Sequence, residues 1–84
     1  MAKLTAHTDV AKTENGAILL NSRTGIYWEI NDTGHRVMET LIVSGSRAAA
    51  VRAIVDSFDV EPEQAEADVT RIIEELSGAG LLTE

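Results

Sequence analysis

The side chains that could carry chemistry are two histidines, the serines and many carboxylates. His7 lies in a predicted strand and His35 in a predicted first helical turn, and neither has other metal-ligand types at cluster spacing. A metal site or an acid–base pair would need such partners close by. We therefore expect two surface histidines, no metal and no cofactor.

The serines and glycines also fall short of a catalytic pattern. Ser22, Ser44, Ser46 and Ser57 lack the glycine-flanked turn of a nucleophile elbow, and Ser46 is better placed to cap a helix. Cysteine is absent, which excludes thiolate metal sites and a cysteine nucleophile. Five of the 14 carboxylates fall on the last predicted helix, where a solvated face is the simpler interpretation. The sequence therefore predicts that the protein is not an enzyme.

The charge balance narrows the classes of partner. The 84 residues include 14 acidic and 7 basic side chains, for a net charge of −7. A phosphate backbone or an anionic membrane surface would repel such a chain. The N-terminal residues lack the apolar core of a signal peptide. We expect a cytoplasmic protein that binds neither nucleic acid nor membranes.

The first 31 residues predict three antiparallel strands. Residues 4–10 alternate between apolar and polar positions, as a half-buried strand does. Residues 17–21 are continuously apolar apart from the last, as expected of a central strand. After a turn at residues 22–25, residues 26–30 form the third strand, with Gly25 at the position that needs a positive φ.

The remaining residues predict three helices within a single domain, residues 1–84. The first helix has Asp32 as its N-cap and ends at Gly45, and Ser46 caps the second. Pro62 opens the third helix, and the segment Leu81-Leu82 packs back on the core. Strands followed by helices indicate an α+β fold, and the last two helices suit a winged helix-turn-helix.

The adjacent aromatic residues Tyr27 and Trp28 are the sharpest local feature. Neighbouring strand residues face opposite ways, so a plain interpretation makes Trp28 a core residue and Tyr27 a half-exposed one. The alternative is that the third strand is a sheet edge, with unpaired backbone groups. Because the strand has neither proline nor lysine to protect it, a peptide could add to it as another strand.

Several short runs of the chain, taken in order, resemble the PqqD-like proteins. The runs are ILLN at 18–21, TG at 24–25, YWEINDTG at 27–34, FDV at 58–60, DV at 68–69, Leu76 and GLL at 80–82. The resemblance implies a winged helix-turn-helix-like domain that recognises the leader segment of a ribosomally made, modified peptide. The amino-acid sequence of these runs is most similar to that of free-standing members of lasso-peptide pathways. The implied partners are the precursor's leader, a leader peptidase and an ATP-dependent cyclase.

The resemblance also implies where the leader binds. The leader would add as a strand beside residues 26–30 and lie against the third helix. Side chains spaced by three and four along that helix share one side, and they would form the wall of a groove. The implied peptide-binding residues are Ile26, Tyr27, Trp28, Glu29, Ile30, Ala65, Asp68, Val69, Ile72 and Leu76.

Four alternatives remain open on the sequence alone. The chain is also compatible with a pyrroloquinoline-quinone-type peptide chaperone for a radical enzyme. An acidic winged-helix transcription factor would need basic residues on the third helix, which carries only Arg71. A small enzyme or metal protein lacks the catalytic constellation. A dimerisation domain would use the same edge strand.

Overall fold

The computed structural model describes residues 2–83, in which four strands are followed by three helices and then by a short final strand. The strands are β1 (Lys3–Leu4), β2 (Thr8–Thr13), β3 (Gly16–Asn21), β4 (Ile26–Asn31) and β5 (Leu82–Thr83). The helices are α1 (Asp32–Ser44), α2 (Arg47–Ser57) and α3 (Pro62–Gly78). Strands β2, β3 and β4 form one antiparallel sheet, and β1 pairs with β5. The predicted α+β class and the three-stranded sheet are confirmed.

Strand β3 is the middle of the sheet, as its apolar sequence predicts. Its Leu19 pairs with Val10 of β2 on one side and with Trp28 of β4 on the other. Two short hairpins make this arrangement, and Gly25 in the second turn has a φ of 73°. The left-handed region is readily open to glycine alone, so the predicted turn is confirmed.

The prediction of one strand over residues 4–10 is wrong. The chain leaves the strand conformation between β1 and β2, and the intervening residues bond to the far end of the protein. Thr5 Oγ1 donates to the Gly80 carbonyl oxygen at 2.8 Å, and His7 Nε2 donates to the same oxygen at 3.0 Å. The Thr5 backbone N–H donates to Leu81 at 3.0 Å. The alternation of apolar and polar residues does not reveal hydrogen-bond partners that lie more than 70 residues away in the chain.

The helix caps agree with prediction at two sites and differ at one. Gly45 ends α1 with a φ of 69°, and the Ser46 side chain accepts from the Ala49 N–H at 3.1 Å to cap α2. The N-cap of α1 is Asn31 rather than the predicted Asp32, because Asn31 Oδ1 accepts from the Gly34 N–H at 2.9 Å. Asn31 is the last extended residue of β4, so it holds the non-helical backbone that an N-cap requires.

One hydrophobic core lies between a single face of the sheet and the three helices. The predicted return of Leu81 and Leu82 onto this core is confirmed, since their exposed fractions are 1% and 2%. None of the helices formed by residues 2–83 combines the length and apolarity needed to cross a bilayer. The largest fully buried side chains are Leu19, Leu41, Ile54, Leu76, Leu81, Val37 and Val69.

Gly16 is required by the close approach of β3 to the end of β4. It pairs with Asn31, and a methyl group on its Cα would overlap the Ile30 carbonyl oxygen and lie 2.8 Å from the Asn31 Cα. These are backbone atoms, so they cannot move aside as a flexible side chain would. The hairpin therefore has its register only with glycine at this position.

We predict that Gly16→Ala lowers the free energy of unfolding by at least about 2 kcal/mol, because the sheet must deform to admit the methyl group. Gly78→Ala is the matched control: nothing lies within 4 Å of the added Cβ, and the residue is helical. The control should leave stability unchanged or raise it by up to about 1 kcal/mol. Urea unfolding followed by circular dichroism measures both, and equal stability of the two variants would contradict the described packing.

Candidate peptide-binding site

Strand β4 is an edge of the sheet. Among the described strands it pairs with β3 alone, so one row of its backbone N–H and C=O groups is available to a new partner. The strand is six residues long, without proline, lysine or arginine. The predicted edge position of this strand is confirmed.

The two faces of β4 differ in exposure. Trp28 and Ile30 face inward and are half-buried against the core, while Ile26 on the same face remains 59% exposed. Tyr27, on the outer face, is 70% exposed, and its cross-strand neighbour is Leu20. Both interpretations of the aromatic pair therefore hold together: Trp28 contributes to the core, and the strand is still an edge.

Ile72 of α3 and Ile30 of β4 both approach Gly34 at the start of α1. A methyl group on Gly34 would lie 3.3 Å from Cβ of Ile30 and 3.7 Å from Cδ1 of Ile72. Glycine at the start of α1 thus allows a strand residue and an α3 residue to approach the same point. A peptide along β4 would run beside this flank of α3.

The structure divides the α3 residues that the sequence left as one group. Ala65, Val69 and Leu76 are 0%, 1% and 0% exposed, and Ile72 is 4% exposed. These four residues belong to the hydrophobic core, so they hold α3 in place and offer little surface to a peptide. Asp68 is the implied α3 residue that reaches solvent, with 17% of its side chain exposed. Spacing of three and four identifies one side of a helix but does not say which neighbour covers it.

Acidic side chains flank both sides of the edge. On α3, Arg71 lies 3.8 Å from Asp68 and 3.4 Å from Glu75, and Gln64 Nε2 donates to Asp68 Oδ1 at 2.9 Å. One cation therefore serves two carboxylates, which leaves this flank negative. Glu29 is exposed on the outer face of β4.

Glu14 lies beside the candidate site, a position that the sequence analysis did not anticipate. It lines, with Glu29, a cavity of about 520 Å³ at the end of β4. The pairing of Gly16 with Asn31 brings the β2–β3 turn beside this end of the strand. The sequence does show the turn that contains Glu14. It does not show that this turn lies beside Glu29, because that depends on the register of the hairpin.

The histidines were predicted to lie on the surface, and the structure instead shows both half-buried. His7 bonds to Gly80, and His35 Nδ1 lies 3.3 Å from Glu39 Oε1. Within residues 2–83, no three His, Asp or Glu side chains are grouped as metal ligands. The histidines stabilise local structure, and neither lies on β4 or α3.

Comparisons with known proteins agree with this geometry. A lasso peptide synthetase B1, solved as a complex with the leader peptide, is 29% identical with a TM-score of 0.88, covering 99% of this chain and 98% of its own. TbiB1 in complex with the TbiA(beta) leader peptide is 25% identical with a TM-score of 0.81, covering 95% and 93%. No curated protein sequence matches the chain.

The family model described as coenzyme PQQ synthesis protein D matches residues 16–82. The match begins with β3 and runs to the start of β5, so it includes β4, all three helices and the whole candidate site. Since this is well over half of the chain, the protein belongs to the PqqD family.

Proposed function

We propose that the protein is a recognition element of lasso-peptide biosynthesis, which binds the leader segment of a ribosomally made precursor by strand addition to β4. It presents the bound leader to a leader peptidase and to an ATP-dependent cyclase, and it performs no chemistry itself. Because the precursor is made on ribosomes, this role places the protein in the cytoplasm.

The unpaired edge of β4 beside α3 carries the proposal. Two proteins that share the fold over more than nine-tenths of this chain were solved with leader peptides bound. One of them is a lasso peptide synthetase B1, which supports that branch over the pyrroloquinoline-quinone branch. A binding role also suits the sequence, which lacks cysteine and a nucleophile–base pair.

In strand addition, backbone hydrogen bonds provide affinity and side-chain contacts provide specificity. The free N–H and C=O groups of β4 exchange bonds to water for bonds to the peptide, so each contributes only about 0.5–1.5 kcal/mol. Backbone pairing is independent of sequence. Alternate leader side chains point toward the inner face, where Ile26, Trp28 and Ile30 offer apolar surface. Apolar leader residues at those positions supply the anchors.

We predict that saturating leader peptide slows amide hydrogen exchange in residues 26–31 and in α3. The peptide's backbone occupies the free groups of β4 and its side chains cover the adjacent flank of α3. Mass spectrometry of deuterated protein locates the change. Protection confined to α1 and α2, with β4 unchanged, would refute strand addition.

Proline substitution tests the same backbone groups. Proline removes one N–H, so at Tyr27 or Trp28 it should abolish binding at whichever N–H faces the free edge, with the fold retained. At the other position it removes a bond to β3 and should destabilise the sheet. Circular dichroism and peptide anisotropy separate the two outcomes, and full affinity in both variants would contradict the model.

A pair of alanine variants tests which face of β4 reads the leader. Ile26→Ala should weaken binding by about 1 kcal/mol, because an exposed apolar contact on the inner face is lost. Tyr27→Ala, its neighbour on the outer face, should weaken binding by less than about 0.5 kcal/mol. Isothermal titration gives both affinities. A larger loss from Tyr27→Ala would place the specificity on the outer face.

The acidic flank should favour a basic leader residue. Asp68→Asn should weaken binding by about 0–1 kcal/mol, since a partly exposed pair contributes little. Glu74→Gln is the control, because Glu74 is exposed on a different side of α3. Titration at low and high salt checks the sign: affinity of the unchanged protein should fall as salt rises. Affinity that rises with salt would contradict this electrostatic contribution.

A further inference from the structure

A second concave surface lies between α2 and α3, away from β4. It has a volume of about 450 Å³ and combines an apolar floor with a charged rim. The half-buried side chains Val51 and Val55 contribute to the floor. The residues that line it, here called the α2–α3 groove, are Arg47, Ala48, Val51, Arg52, Val55, Pro62, Glu66, Val69 and Thr70.

The charge of the α2–α3 groove is opposite to that of the protein. The chain has 14 acidic and 7 basic residues, yet the described lining contains two arginines and one carboxylate, Glu66. Arg47 Nη2 donates to Thr70 Oγ1 at 2.6 Å, a hydroxyl that leaves the guanidinium charge uncompensated. Within residues 2–83, neither Arg47 nor Arg52 has a carboxylate within 4.0 Å.

The groove and the leader edge lie on opposite flanks of α3. Thr70 lines the groove. Asp68 lies four residues before Ile72 and therefore shares its side of α3, and the two residues that separate Asp68 from Thr70 correspond to a rotation of roughly 200°. Ile72 likewise points to Gly34 and Ile30. A peptide added to β4 therefore leaves the α2–α3 groove open, and both surfaces can be occupied at once.

We propose that the α2–α3 groove docks an acidic, amphipathic segment of the leader peptidase. This rests on the proposed function, because a recognition element that holds a leader needs a second surface to hold the catalyst. Apolar residues of the segment contact Val51 and Val55, and flanking Asp or Glu residues pair with Arg47 and Arg52. Nucleic acid fits poorly, since the apolar floor and Glu66 offer nothing to a phosphate backbone.

The test compares two double variants with the same change in net charge. Arg47→Glu/Arg52→Glu reverses the rim of the groove. Lys3→Glu/Arg36→Glu makes the matched change on β1 and α1, outside the groove lining. All four side chains are exposed, and Glu at position 47 suits the positive end of the α2 dipole, so both proteins should fold.

Each full-length variant is titrated with a fluorescent leader peptide and then with the purified leader peptidase of the same pathway. We expect all proteins to bind the leader alike. Arg47→Glu/Arg52→Glu should bind the peptidase at least about tenfold more weakly and slow leader cleavage, because close interfacial charge pairs carry large coupling. The Lys3→Glu/Arg36→Glu control should retain both properties.

Three results would overturn the assignment. Equal peptidase binding by the two double variants would show that the groove is not the docking surface. Tight binding of a fluorescent DNA duplex, lost only in Arg47→Glu/Arg52→Glu, would assign the groove to nucleic acid instead. Failure of the unchanged protein to bind leader would overturn the proposed function, and the docking proposal with it.

Discussion

Hydrogen bonding along β3 is the constraint on which the rest of the structure depends. Because β3 takes β2 and β4 as partners through two consecutive hairpins, its backbone is satisfied on both sides and the sheet ends at β4. The three helices then cover one face of the sheet, and the chain returns to pair β5 with β1 rather than with β4. The free edge beside α3 is thus a consequence of topology.

Helix α3 contacts three different environments: the core, the side toward β4 and the α2–α3 groove. Its central stripe, including Val69 and Leu76, is buried in the core. One flank, with Ile72, lies toward Gly34 and the end of β4, and the other, with Glu66 and Thr70, borders the α2–α3 groove. A helix of 17 residues is long enough to hold the core together and still present two separate surfaces.

Local signals were predicted well because their physics is local. The apolar run of β3, the turn glycine Gly25 and the cap Ser46 each act within a few residues, and each was found as predicted. The prediction of Asp32 as the N-cap of α1 was wrong by one position, because the side chains of both Asn31 and Asp32 can cap a helix. Only the end of β4 decides which of them has the extended backbone.

The sequence by itself determined the order of the three-stranded sheet and the three helices, the acidic character, the absence of cysteine and the candidate edge. Only the tertiary structure decided that Ala65, Val69 and Leu76 belong to the core. The same is true of the cavity that Glu14 and Glu29 both line, and of the groove that Arg47 and Arg52 both border. The first predicted strand is interrupted in the structure, where Thr5 and His7 donate hydrogen bonds to Gly80. The physical reason is that burial and charge environment depend on residues distant in the chain, whereas backbone conformation depends largely on near neighbours.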